Sequence, residues 1–280
     1  MVASTHRSFR AFTRNKAAVV GLVLVVLLVL VAVFADLLSP HDVREQNVRQ
    51  RYGAASATHW LGTDELGRDV LARIIVGSRV SLFVGVSSVA VAMVFGLWLG
   101  VFAGYRGGYA DRAITGVVDT LMAFPSLLLG LLVVSAIGPG LRNTIIAIVL
   151  TFIPRFARVA RGQTIVLREY EFVLAEKACG ASETRIIFRH ILPNLLSEIV
   201  VMGSLWTSTA IIIESSLSFL GLGVQPPTPS WGMMIKSGVD EILMAPSLAV
   251  YPGLAISLAV LAFNLVGDGM RDFLDPKLLR

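Results

Sequence analysis

Five stretches of this chain, Ala17–Ala35, Val80–Tyr105, Thr120–Leu141, Ile199–Ile213 and Ile242–Gly267, contain no aspartate, glutamate, lysine or arginine. Most reach the roughly 20 residues that a helix needs to cross hydrocarbon. A sixth block, Asn143–Pro154, is shorter and runs straight into Arg155, Arg158 and Arg161, so it spans only if its helix continues past the lipid surface. Charged residues make up 15% of the 280, against about 25% in soluble domains, and mean hydropathy is +0.75. The reading is an all-α integral membrane protein with about six transmembrane helices.

Arg7, Arg10, Arg14 and Lys16 precede the first apolar run, as in a secretory signal, and Val33-Phe34-Ala35 resembles a cleavage site. The run exceeds the ~7–15 residues of a signal core, so an uncleaved first span is expected. Cys179 is the only cysteine, which excludes an intramolecular disulfide. The net charge of +5 needs no nucleic acid, because basic residues flanking spans record orientation. With both termini in the cytoplasm, sixteen of the 24 Lys and Arg fall inside. That predicts a cytoplasmic N-terminal segment 1–16, a membrane domain 17–270 and a cytoplasmic tail 271–280. External loops cover 36–78 and about 217–241, and within the first Asp69–Ile75 reads as an amphipathic helix lying at the interface. In the second, Pro226, Pro227 and Pro229 break the chain.

The polar insert of about 161–193 is the exception in an apolar chain. Its Tyr170–Pro193 part reads YEFVLAEKACGASETRIIFRHILP. Glu169–Cys179 suits about three helical turns, with Gly180 placed to end them in the left-handed conformation. Ser182 caps a second short helix carrying Glu183 in its first turn, and that helix stops before Pro193, which opens the next span. On these residues alone the segment is either an amphipathic loop resting on headgroups or a docking element.

Gly180 followed by His190-Ile191-Leu192-Pro193 resembles the EAA loop of ABC importer permeases, although Leu174-Ala175-Glu176 stands where Glu-Ala-Ala is usual. Three further blocks resemble the C-type permease subunits of dipeptide, oligopeptide and nickel importers. The first contributes Gly62, Thr63, Asp64, Gly67, Arg68 and Asp69; the second Gly221, Gly223, Pro226, Pro227, Trp231 and Gly232; the third Asp268, Arg271, Asp272, Asp275 and Pro276. The resemblance implies a type I ABC importer permease fold in the bacterial cytoplasmic (inner) membrane. It implies a homologous B-type permease, two ATP-binding subunits and an extracytoplasmic solute-binding protein as partners. Coupling to the ATPases would run through Tyr170, Phe172, Val173, Leu174, Ala175, Glu176, Lys177, Ala178, Gly180, Ala181, Ser182, His190 and Pro193. No cofactor is expected in this chain, with ATP and Mg held by the partner subunits. Several of the signature glycines and prolines also read simply as turn formers.

Glu214 follows fifteen uncharged residues near the expected outer end of the fifth span. An acid there is costly in lipid, so it faces protein or water. It is a pathway candidate with Ser215 and Ser218, and pairing to a neighbouring helix accounts for it equally. Gly96, Gly100 and Gly104 form a small-residue strip that brings helices close, within this chain or across a permease pair. The four histidines are too dispersed to propose a metal site by spacing, and no metal is expected. No GxxxxGK[ST], HExxH or GxSxG occurs, so the chain is not expected to be an enzyme. The rival reading is a secondary transporter with Glu214 as its ion or proton site. Against it stand the polar insert and the expected lack of broken helices in matching halves.

Overall fold

The structure, a computed structural model, describes residues 15–274. Asp275, Pro276, Lys277 and nearly all of the expected segment 1–16 lie outside the described residues. The first span, α1 (Lys16–Val33), is capped by Asn15, whose side chain accepts the Ala18 N–H at 3.2 Å. A short α2 (Ala35–Leu38) follows, then a long segment whose one helical turn is a 3-10 turn at Val48–Gln50, up to α3 (Val70–Arg106). Asp69–Ile75 is therefore no separate interfacial helix. Asp69 caps α3, and the next residues form the opening turns of one 37-residue helix. The charge that made this stretch look amphipathic is turned inward: Arg73 is buried, 3.3 Å from Asp64. At ~1.5 Å per residue α3 is roughly 55 Å long, well beyond the about 30 Å of hydrocarbon.

The expected third span is broken. α4 (Gly108–Met122) and α5 (Ser126–Ile137) meet at 95°. Pro125 sits at the break: its ring donates no N–H and restricts Phe124 before it. The uninterrupted apolar lettering of 120–141 concealed this corner. The block 143–154 does continue, within α6 (Leu141–Leu167), and Pro154 is accommodated inside that helix and buried. A polar excursion, α7 (Glu171–Ala178) and α8 (Glu183–Ile186), leads through a π turn at Ile187–Ile191 into α9 (Leu192–Phe219). The second short helix ends at Ile186, ahead of Pro193, which stands in the first turn of α9 as expected, but the π turn joins the two helices without a break. Leu192 donates to the Ile187 carbonyl five residues back, and this widened turn admits a proline that lacks a donor. α10 (Trp231–Asp240) and α11 (Ser247–Leu274) complete the chain, and no strand occurs among the described residues.

The principal packing is α3 against α6. Gly96, Gly100 and Gly104 lie on that seam: a Cβ at Gly100 would stand 2.4 Å from the Ala157 carbonyl oxygen. The strip therefore serves packing inside this chain. Beside it Phe156 meets Trp206 of α9 edge to face, centroids 4.4 Å apart, tying α9 to the same core. α1 lies outside, held by α11 and α3, with Val20, Val23, Leu27 and Val33 exposed as a lipid-facing helix requires. Asn15 at the head of α1 donates to Asp272 near the tail of α11 at 2.9 Å, so the two described ends meet on one face. We call it the insert face, because the end of α3 also meets the insert there: Arg168 donates to the Gly104 carbonyl at 2.9 Å and Arg106 lies 3.7 Å from Glu183.

Candidate functional site

Local chemistry shapes the insert. Glu171 stands in the first turn of α7 and Lys177 in its last, each matching the helix dipole. Gly180 follows at φ +83°, and beyond it Ala181 N–H bonds back to the Glu176 carbonyl at 3.0 Å. Ser182 then accepts the Arg185 N–H at 3.3 Å and caps α8, as its position predicts. Only Val173 of α7 is buried, packed into the main core with Ala181 beside it. Tyr170, Phe172 and Leu174 are 49%, 43% and 48% exposed. Glu176 lies 3.4 Å from His190, and the Phe172 ring sits 5.8 Å from the same imidazole, so α7 is braced against the π turn feeding α9. Ala175, Lys177 and Ala178 are exposed on α7, and Pro193 is exposed at the start of α9.

Glu214, Ser215 and Ser218 form a second group near the far end of α9, all three buried. Ser218, one turn on, donates to Glu214 Oε1 at 2.8 Å, and Ser215 donates to Oε2 at 3.3 Å. Val224 N–H reaches Ser218 Oγ at 3.3 Å, linking the acid to the loop beyond the helix. Glu214 faces protein, as the cost of lipid exposure requires, and its side-chain partners are hydroxyls: Ser218 and Ser215 of its own helix and Ser81 of α3. A recess of about 430 Å³ lined by Gly100, Val118, Asp119 and Arg158 lies at the α3–α4–α6 junction and does not include Glu214, Ser215 or Ser218 in its lining.

The signature blocks take structural positions on the face opposite the insert, with one exception. Gly62 and Gly67 adopt positive φ, and between them Thr63 accepts the Gly53 N–H at 2.8 Å. Asp64 Oδ1 accepts the N–H groups of Leu66 and Arg68, both at 2.9 Å, while Oδ2 receives Arg68 Nε at 2.7 Å. Gly221 also has positive φ, and the Gly223 carbonyl accepts the Gly140 N–H at 3.0 Å, closing the loop that holds Pro226 and Pro227 onto the head of α6. Trp231 is fully enclosed and donates through its indole to the Ile74 carbonyl at 3.0 Å and through its N–H to Ser81 at 3.3 Å. Gly232 packs its backbone on Ser215. The exception is the third block: Asp268, Arg271 and Asp272 are exposed on α11 at the insert face.

Residues 96–280 match the family described as binding-protein-dependent transport system inner membrane component. The chain belongs to that family. Residues 5–55 match the N-terminal TM domain of oligopeptide transport permease C. The permease is 45% identical over 277 residues to the dipeptide transport system permease protein DppC of Alkalihalophilus pseudofirmus, covering 99% of this chain and 91% of that one. It is 46% identical over 271 residues to the glutathione transport system permease protein GsiD of Pectobacterium atrosepticum, covering 96% and 90%. To GsiD of Escherichia coli O157:H7 it is 45% identical over 274 residues, covering 98% and 90%. It is thus a multi-pass, non-catalytic membrane subunit of an ATP-driven importer, and the ion-gradient reading has no support. A broken helix pair exists at α4–α5, but it is the one such pair among the described residues, so broken helices do not recur there in matching halves.

Two features of the permease were not legible as sites. Arg155, Arg158 and Arg161, counted only as orientation markers, follow one another at helical spacing along α6 and clamp the broken span. Arg155 donates to Ser126, Arg158 pairs with Asp119, and Arg161 Nη2 reaches Asp111 Oδ2 at 2.7 Å. The i, i+3, i+6 spacing was the available signal. The other is the approach of His41, His59 and Asp69, whose ligand atoms lie within 4.8 Å of one another; no sequence periodicity announces it.

Proposed function

We propose that this permease is one half of an import pathway for dipeptides, glutathione-like tripeptides or related small solutes, completed by a homologous B-type subunit. Two ATP-binding subunits, which hold ATP and Mg, dock on the insert face, and an extracytoplasmic solute-binding protein delivers solute to the other. The insert face is cytoplasmic in this reading, with both termini, as the distribution of basic residues favours. The substrate class follows from the names of the relatives at 45–46% identity.

The observation that carries the docking assignment is α7. It is pinned to the core by Val173 alone while presenting Tyr170, Phe172 and Leu174 about half exposed beside Lys177 and Glu171. A partner cleft would cover these apolar side chains, as aromatic anchors are covered in other interfaces. Movement of α7 passes through Glu176 and His190 to the π turn and so into α9. Gly180→Val tests the route. A non-glycine residue at φ +83° is strained by roughly 1–2 kcal/mol, while a Cβ there meets nothing within 4 Å in the isolated chain. The variant should insert normally yet lose ATPase copurification or uncouple ATP hydrolysis from uptake. Normal copurification, ATPase rate and uptake together would reduce the insert to a passive connector.

A further inference from the structure

Asp69 divides its carboxylate between two tasks. Oδ1 accepts the Ala72 N–H at 2.7 Å and caps α3. Oδ2 points away from the helix toward two imidazoles, 2.8 Å from His59 Nδ1 and 3.4 Å from His41 Nδ1. Hydrogen bonding accounts for only one of them. His59 is bonded, whereas His41 Nδ1 is enclosed and has no hydrogen-bond partner among the described residues, an exception in proteins, where buried polar atoms are almost always satisfied. We propose that His41, His59 and Asp69 form a binding site for a first-row transition-metal ion, of which Zn²⁺ fits best.

The geometry and the donor set agree. A tetrahedral zinc with bonds of about 2.0–2.1 Å holds its ligand atoms roughly 3.3 Å apart. His41 and Asp69 already stand at that separation, His59 needs to retreat from Asp69 by about half an ångström, and the two imidazole ligand atoms lie within 4.8 Å of each other. Two imidazoles and one carboxylate suit Zn²⁺ and its neighbours. Mg²⁺ and Ca²⁺ prefer six or more oxygens and are excluded by the nitrogens. The three side chains line a recess of about 270 Å³ that also holds Asp42 and Glu45. Water has access to the fourth position, and the two acids add a field favourable to a cation. The ligands come from just after α2, from the loop at 59 and from the cap of α3. A bound ion therefore staples segment 39–69 to the start of α3, on the face opposite the insert.

The test uses the full-length permease copurified with its partner subunits, stripped by chelator and dialysed against micromolar ZnCl₂, with metal counted per chain. Wild type and Cys179→Ser should each retain one zinc and show a raised thermal midpoint. His41→Gln should weaken binding by more than the ~10–100-fold that loss of an outer-shell partner causes, and abolish the shift. Because His41 Nδ1 has no hydrogen-bond partner among the described residues, and the Ser39 bond to its backbone carbonyl survives the change, this variant should fold as the wild type does. Asp69→Asn retains a competent cap and should weaken binding as well. X-ray absorption of the bound zinc should show two imidazole ligands. Failure of the wild type to retain zinc, retention undiminished in both His41→Gln and Asp69→Asn, or sulfur in the absorption spectrum would each overturn the site.

Discussion

The carboxyl of Glu214 meets Ser218 and Ser215, hydroxyl groups that a glutamine could equally engage. Glu214→Gln keeps the volume and an acceptor for Ser218, so stability should change by no more than about one hydrogen bond, ~1 kcal/mol. If the side chain serves the pathway in another conformation of the transport cycle, uptake by the reconstituted importer should fall while subunit assembly stays normal. Unchanged uptake in proteoliposomes would leave Glu214 a packing residue. Its burial was legible in the sequence because an isolated acid in an apolar run has few affordable places. The meeting of His41 with His59 was not, since seventeen residues without periodicity separate them. Only the path of the loop around the Asp69 cap brings them together.

Among elements, the α4–α6 clamp holds a broken span in place and can be measured. Asp111 and Arg161 are partly exposed, so solvent screening limits their coupling to about 1 kcal/mol, and a double-mutant cycle with Asp111→Ala and Arg161→Ala should return that value. The α3–α6 seam is less forgiving. Gly100→Val would drive Cβ to 2.4 Å from a backbone oxygen that cannot retreat without moving α6. The cost should reach the upper end of the about 1–3 kcal/mol of overpacked cores, read as a lowered thermal midpoint and poor yield. Helix positions were largely visible as charge-free blocks, because lipid permits nothing else there. The corner at Pro125 and the π turn before Pro193 were not: a proline announces a disturbance, but neighbouring helices decide whether it becomes a bend, a widened turn or, as at Pro154, nothing.

For the molecule as a whole, the joining of Asn15 to Asp272 and of α3 to the insert fixes which ends share a face, and the basic residues propose which face is cytoplasmic. In a Cys179→Ser background, Thr228→Cys should react with an impermeant maleimide in intact cells, and Asp272→Cys only after permeabilisation. The reverse pattern would invert the topology. α3 carries a mechanical consequence. Arg73 at one end is locked to Asp64, Arg106 at the other touches the insert, and the helix between them is unbroken. A rod of this length, pivoting by about 5° at its Arg73 end, swings its far tip by roughly 4 Å. In the proposed arrangement, solute arriving on one side and the motor on the other would grip opposite ends of one lever, and a push at either would be felt at the other without an intermediate.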